Sequence, residues 1–424
     1  MSSSPPAPGL TLSSAAGRGT LLAAVLGSGL VFIDGTVVGI ALPAISEDLG
    51  ATTAGLQWTV NGYALTLAAL LLLGGSLAIL QASFTHDDRA RAIGAWSGLS
   101  GAAGAVAPFL GGWLVEAFGW RWVFGINLPL AALVVVVAMR WVPESADPDA
   151  SPHLDVRGTV LAALGLGALT WSLTAWSEQG RLSATVAGIG VAGLLALAGF
   201  VLAEQRSAHP ALPLGLLRWR PFAATNLATL LIYAALSGAF FFLPITLQVV
   251  TGWSPLAAGI ASLPVTILML LLSSRAGALG TRIGPRIPMT AGPLVAAVGI
   301  ALLAGVGVGT TYLTGVLPGI LVFGLGLTLT VAPLTATALA AAPDHLAGVA
   351  SATNNAVSRV AGLLAVATLP LVAGVGAGLS DPDVLADAHP VAMLTCAGLL
   401  AAGAVVSALG VPGSMRAVSP EGQP

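Results

Sequence analysis

The chain has 424 residues, of which 56% are hydrophobic and 8% charged; soluble domains carry about 25% charged residues. That balance excludes a soluble domain and indicates an integral membrane protein. The formal net charge of -2 excludes the basic footprint of a nucleic-acid partner, and a single cysteine, Cys396, excludes a disulfide or cysteine–metal framework.

Residues 1–18 form a Pro/Ser-rich tail without a cleavable signal pattern, so the first apolar run is expected to stay as an anchor. Apolar runs separated by short polar breaks predict twelve spans, near 19–41, 56–84, 91–115, 121–142, 157–178, 183–203, 221–249, 254–276, 288–308, 311–337, 349–375 and 391–412. Runs of this length satisfy their backbone in lipid as helices. The 54 glycines suit close helix contacts there.

The first run carries one formal charge, Asp34, within FIDGTVVGIALP. A carboxylate at the middle of a bilayer costs at least ~2.5 kcal/mol, so it normally faces a polar interior. Two roles fit Asp34: proton or cation coupling, or hydrogen bonding to neighbouring backbone within the bundle.

With a cytoplasmic N-terminus, inner segments carry twelve arginines (18, 89, 91, 140, 157, 206, 218, 220, 275, 282, 286 and 416) and outer segments only Arg121 and Arg181. That split follows the positive-inside rule and predicts both termini in the cytoplasm. Polar linkers at 142–158 and 203–221 divide the spans into an N-terminal lobe (19–142), a two-span insert (157–203) and a C-terminal lobe (221–412), followed by a tail at 413–424. The histidines fall in predicted loops or tails without ligand or triad spacing, and the glycine runs lie in or beside spans, so no catalytic, nucleotide or metal site is expected. Any transport would therefore be secondary.

The third span reads GLSGAAGAVAPFLGG. Gly101, Gly104, Gly111 and Gly112 give it a smooth face and Pro108 bends it. Such a helix fits a gate between inward and outward states, and it equally fits plain packing of small residues. The run resembles the antiporter motif of the major facilitator superfamily, with Ala107 where that motif has glycine. FIDGTVVGIALPAI, LQWTVNGYAL, WRWVFGINLP and TNNAVSRVAG, in this order, are similar to the fourteen-span drug:proton antiporters, with Gly39 where their first-span signature usually has Asn.

The resemblance implies an all-α, two-lobed bundle exporting hydrophobic or cationic compounds across the cell membrane in exchange for protons, with no cofactor beyond the proton gradient. Asp34 would be proton-linked, and Gly101, Gly104, Pro108, Gly111 and Gly112 would form the gating helix. Asn61, Tyr63, Asn226 and Gln248 are cavity candidates by polarity. Arg359 lies about ten residues into its apolar run, where a long side chain reaches for the interface. Gly277, Arg282, Gly284 and Arg286, in GALGTRIGPR, resemble the superfamily's cytoplasmic loop motif without its acid.

The better copy of that loop, expected after 65–75, is absent. The chain passes from Gly74 and Gly75 into SLAILQASFTHDDRARAIGAW, which resembles the end of the family's fourth span and the loop to its fifth. The resemblance thus implies loss of two spans, on the order of 45 residues at ~20 per span, leaving four, two and six spans in place of six, two and six. An incomplete N-terminal lobe sets a second expectation beside export: a transport-deficient remnant, or a membrane partner of an intact paralogue.

Overall fold

The computed structural model describes residues 10–71, 83–143, 156–207, 214–341 and 346–414. Inside the helices, some side chains, those of Asp34 and Tyr63 among them, lie outside the described set. So does the junction at Gly74 and Gly75.

The described chain is almost wholly helical. The N-terminal half comprises α1 (Ala15–Leu49), α2 (Thr53–Leu71), α3 (His86–Phe118), α4 (Arg121–Gly125), α5 (Asn127–Trp141), α6 (Val156–Gln179) and α7 (Ala184–Arg206). The C-terminal half comprises α8 (Arg220–Val249), α9 (Pro255–Ala261), α10 (Leu263–Ile283), α11 (Arg286–Leu303), α12 (Leu317–Ala340), α13 (Ala347–Val372) and α14 (Pro382–Gly410). Among the described residues, nine helical segments are long and apolar enough to cross a membrane. Helix is also present at the three remaining predicted spans, in α1, α2 and α3. The chain is a multi-pass membrane protein.

Local chemistry sets the ends. Ser14, Ser183 and Ser254 cap α1, α7 and α9 by accepting the amides of Gly17, Val186 and Ala257. Gly50 closes α1 at φ 58°, a left-handed conformation that glycine adopts without a Cβ penalty. Asp381 accepts the amides of Asp383 and Val384, and Pro382 follows at the first helical position. Helix α14 therefore starts nine residues before the predicted span at 391, and Asp383, Asp387 and His389 lie on its first turns and not in a loop. The predicted spans at 121–142 and 254–276 each break, at Ile126 and Ser262.

His389 is fully buried, which corrects its placement in a loop. Its Nε2 lies 2.9 Å from the Leu303 carbonyl at the end of α11, where helix carbonyls lack intrahelical partners. Its Nδ1 lies 2.9 Å from Thr246 Oγ1 on α8. One imidazole thus ties three helices together.

Glycine seams bring backbones into contact. On α11 and α12, Gly292 and Gly299 face Gly326 and Gly319 with a seven-residue repeat on each helix. A Cβ on Gly299 would collide with the Phe323 backbone, and one on Gly326 with the Ala296 amide. Helices α6 and α7 pack the same way, through Gly165 against Leu197 and Gly193 against Leu169. Helix α6 also packs against α2 and α13. Large apolar side chains cover the outside (Met139 is 82% exposed), as a lipid-facing surface requires.

Gly326→Val is expected to force α11 and α12 apart. Overpacking of a tight contact costs roughly 1–3 kcal/mol, so detergent-solubilised variant protein should show a lower melting temperature than the parent. Gly307→Val, at a loop glycine with open space around it, should melt with the parent.

Candidate functional site at the interface of the two halves

Helix α3 meets both halves along one edge. Gly111 sits so close to α1 that a Cβ would lie 2.9 Å from Val37 Cγ1. Gly112 faces α9, where a Cβ would lie 2.6 Å from the Pro255 carbonyl. From the other side, a Cβ on Gly259 of α9 would collide with the Pro108 carbonyl. Pro108 lies inside α3 and Pro255 starts α9. Two backbones therefore touch across the halves, with glycine on both. Gly101 and Gly104 lie on α3 nearer its start. Gly259 escaped the sequence reading because its partner lies 151 positions away, as the numbering shows.

The same end of the bundle carries the hydrogen bonds that join the halves. Ser46 and Ser380 hydroxyls are 2.7 Å apart, and the Leu379 amide donates to Thr53 Oγ1 at 3.2 Å. Gln57 is fully buried on α2 and donates to the Val366 carbonyl of α13 at 3.0 Å. That carbonyl is available because residue 370, four positions on, is proline and has no amide proton. Gln248 donates to the Ile40 carbonyl of α1 at 3.1 Å and to its own helix at Pro244. It lines a cleft of about 460 Å³ with Pro43, Glu47 and Ser380. Gly39 lies close by, with the Phe240 carbonyl 3.7 Å from where its Cβ would be.

Asp48 ends α1 at this edge and accepts Trp120 Nε1 at 2.9 Å and Arg121 Nη1 at 2.8 Å. The Trp120 hydrogen bond and then the Arg121 guanidinium hold its carboxyl below the ordinary range. Arg121, one of two arginines at this end by sequence, thus has a carboxylate partner and a Trp120 ring 4.4 Å away.

Further along, polar groups collect where α8, α12 and α13 meet. Asn354 donates to Asn226 Oδ1 at 3.2 Å and to Thr229 Oγ1 at 2.8 Å, while Asn226 donates to its own helix at Phe222. Asn226 is thereby held between helices. Beside it lies a cleft of about 50 Å³ lined by Tyr233, Thr335, Asn354 and Ser358. Arg359 is half-buried. On the facing half, Asn61 follows Gln57 by one turn of α2 and is 1% exposed, with neither amide atom hydrogen-bonded to protein. Tyr233 carries no motif that separates it from ordinary span residues.

The loop motif residues lie at the opposite end. Gly277 and Arg282 fall in α10, Gly284 turns the chain at φ 83°, and Arg286 begins α11 and donates to the Val411 carbonyl at 2.8 Å. Among the described residues there is no group of three or more His, Cys, Asp or Glu placed to hold a metal ion.

The family model of the Major Facilitator Superfamily matches residues 75–366, more than half of the chain. The tetracenomycin C resistance and export protein of Streptomyces glaucescens is 31% identical over 426 residues, covering 87% of this chain and 78% of the relative. The puromycin resistance protein pur8 of Streptomyces alboniger is 32% identical over 399 residues, covering 81% and 79%. Since 87% of 424 residues is about 369, about 57 of the 426 aligned positions have no counterpart in this chain. The same reckoning for the second relative, about 343 of 399, leaves about 56. In fold, the chain is similar to a bacterial homologue of the human lysosomal transporter Spinster in an inward-facing, unoccupied conformation, with a TM-score of 0.58 at 15% identity over 94% of this chain and 97% of the other. By the family match and these relatives, the chain belongs to the Major Facilitator Superfamily, within its antibiotic and multidrug efflux branch.

Proposed function

We propose that the chain is a proton-coupled secondary exporter of hydrophobic or cationic small molecules in the cell membrane, with both termini cytoplasmic. The observation that carries this reading is the seam at which α3 meets α9 through Gly112 and Gly259. It joins the halves at the arginine-poor end, together with the Ser46–Ser380 and Gln57–Val366 hydrogen bonds. By the arginine distribution that end is the outer one, so the conformation is one shut to the outside. Export requires these contacts to part while the cytoplasmic ends close. Asp34, the carboxylate of the first span, is the residue proposed to take up the counter-moving proton.

A second reading, the transport-deficient remnant, draws on the roughly 56 unmatched positions, about the size of two spans with their loops at ~20 residues per span. Against it stands the packing of the insert. Helices α6 and α7 form a close pair, and α6 lies against α2 and α13. We propose that this pair completes the N-terminal half, so that α1–α7 and α8–α14 make two halves of six spans.

Two experiments test the export reading. Inverted vesicles from cells producing the chain should accumulate ethidium when energised and lose it when the proton gradient is collapsed. Asp34→Asn should reduce the initial rate at least about tenfold, the scale on which a lost proton-transfer group acts. No accumulation with the parent protein, at matched expression, would favour the remnant. Second, the pair Ser46→Cys and Ser380→Cys should form a disulfide on mild oxidation, because the parent hydroxyls are 2.7 Å apart. Transport should stop on oxidation and return with dithiothreitol, and the buried native Cys396 should not interfere. Full transport with the cross-link formed would refute movement at this seam.

A further inference from the structure

We infer that the face of α6 turned away from α7, together with Gln57 and Asn61 of α2, is a subsite for uncharged hydroxyl and carbonyl groups on the exported molecule. It is closed in this conformation and uncovered when the halves part. The inference rests on the export reading, and adds to it a substrate chemistry and a role for the insert.

Helix α6 has two faces of different chemistry. Gly165, Leu169 and Ser172 lie against α7, where Gly190 and Gly193 meet them and Ser172 donates to the Val186 carbonyl at 2.8 Å. Thr170, Thr174 and Ser177 lie on the opposite face, spaced four and three residues apart. All three are buried, and none of their hydroxyls has a hydrogen-bond partner. A threonine inside a helix usually turns back onto the carbonyl four residues before it, as Thr229, Thr328, Thr330 and Thr337 do. The α6 hydroxyls do not. Besides α7, the described helices that pack extensively on α6 are α2 and α13. Since α13 belongs to the other half, this face lies at the boundary that has to open.

Two contacts set its level against α2. The Leu379 amide donates to Thr53 Oγ1, and a Cβ on Gly376, in the same loop, would lie 3.9 Å from the Ser177 carbonyl. At ~1.5 Å per residue, Gln57 and Asn61 lie ~6 and ~12 Å inward of Thr53, and Thr174 and Thr170 ~4.5 and ~10.5 Å inward of Ser177. Gln57 thus shares a level with Thr174, and Asn61 with Thr170. Gln57 Oε1 and both amide atoms of Asn61 are buried without a hydrogen-bond partner as well. Polar atoms left so are costly, and a ligand entering the opened boundary would supply the partners. Hydroxyls and carboxamides both donate and accept, which suits hydroxyl and carbonyl groups. The five residues carry no charge, so an ionised group would find no counter-ion among them.

The test compares daunorubicin with ethidium, two cationic dyes of which only the first carries hydroxyl and carbonyl groups. Uptake into inverted vesicles gives KM, and fluorescence polarisation on the purified full chain gives Kd. The double variant Thr170→Val, Thr174→Val is expected to raise both constants for daunorubicin about tenfold, the scale of two lost neutral hydrogen bonds. Ethidium should stay within about twofold. The melting temperature of the variant in detergent should equal or exceed the parent's, because methyl groups replace unpartnered hydroxyls. Thr170→Ser, which keeps a hydroxyl, should hold daunorubicin within about threefold of the parent. Daunorubicin indifferent to the valine pair, equal losses for both dyes (the result if the face takes up water alone), or a lowered melting temperature would overturn the subsite. Failure of the export reading looks different: vesicles would accumulate neither dye, while the purified parent would bind daunorubicin and the valine pair would weaken that binding. A parent that binds no daunorubicin overturns the subsite itself.

Discussion

The seam that joins one half to the other at α3 and α9 depends on backbone approaching backbone. Lipid offers no partner for an exposed carbonyl or amide, so helices that meet in it have to meet closely and completely. The chain does this by removing side chains where α3 touches α9, at Gly112 and Gly259. It also does so by placing proline where a carbonyl is to be handed to a neighbour. Pro370 frees the Val366 carbonyl and Gln57 of the other half takes it. The same rule shapes the interior of each half, where His389 accommodates the last carbonyl of α11 and Thr20 that of α5, through Trp141.

The helices were legible from the sequence because apolar run length alone determines them. Their ends were less so. The acidic stretch ahead of α14 reads as a loop by charge, yet Asp381 and Pro382 form a helix start, and the turns that follow carry Asp383 and Asp387 outward and His389 inward. A capping pair outweighs composition there. The breaks at Ile126 and Ser262 escaped because their flanks are as apolar as any span.

The site divides in the same way. Pro108, Gly111 and Gly112 were visible because they crowd into one motif. Their counterparts on the other half were not, since Gly259 or Ser380 means nothing until the chain has folded back on itself. Polarity identified Asn61, Asn226 and Gln248 without distinguishing them. Only packing separates an asparagine fixed between helices, Asn226, from one whose amide is buried without a protein partner, Asn61.

The seam of α11 and α12 has a mechanical consequence. Side chains that interlock can exchange rotamers and let two helices slip past each other by small steps. Glycines set against bare backbone, as at Gly299 with Phe323 and Gly326 with Ala296, have no such intermediate positions. The pair behaves as one strut, stiff against shear, and the His389 tie fastens α8 and α14 to it. Shear between α11 and α12 within the C-terminal half is thereby opposed.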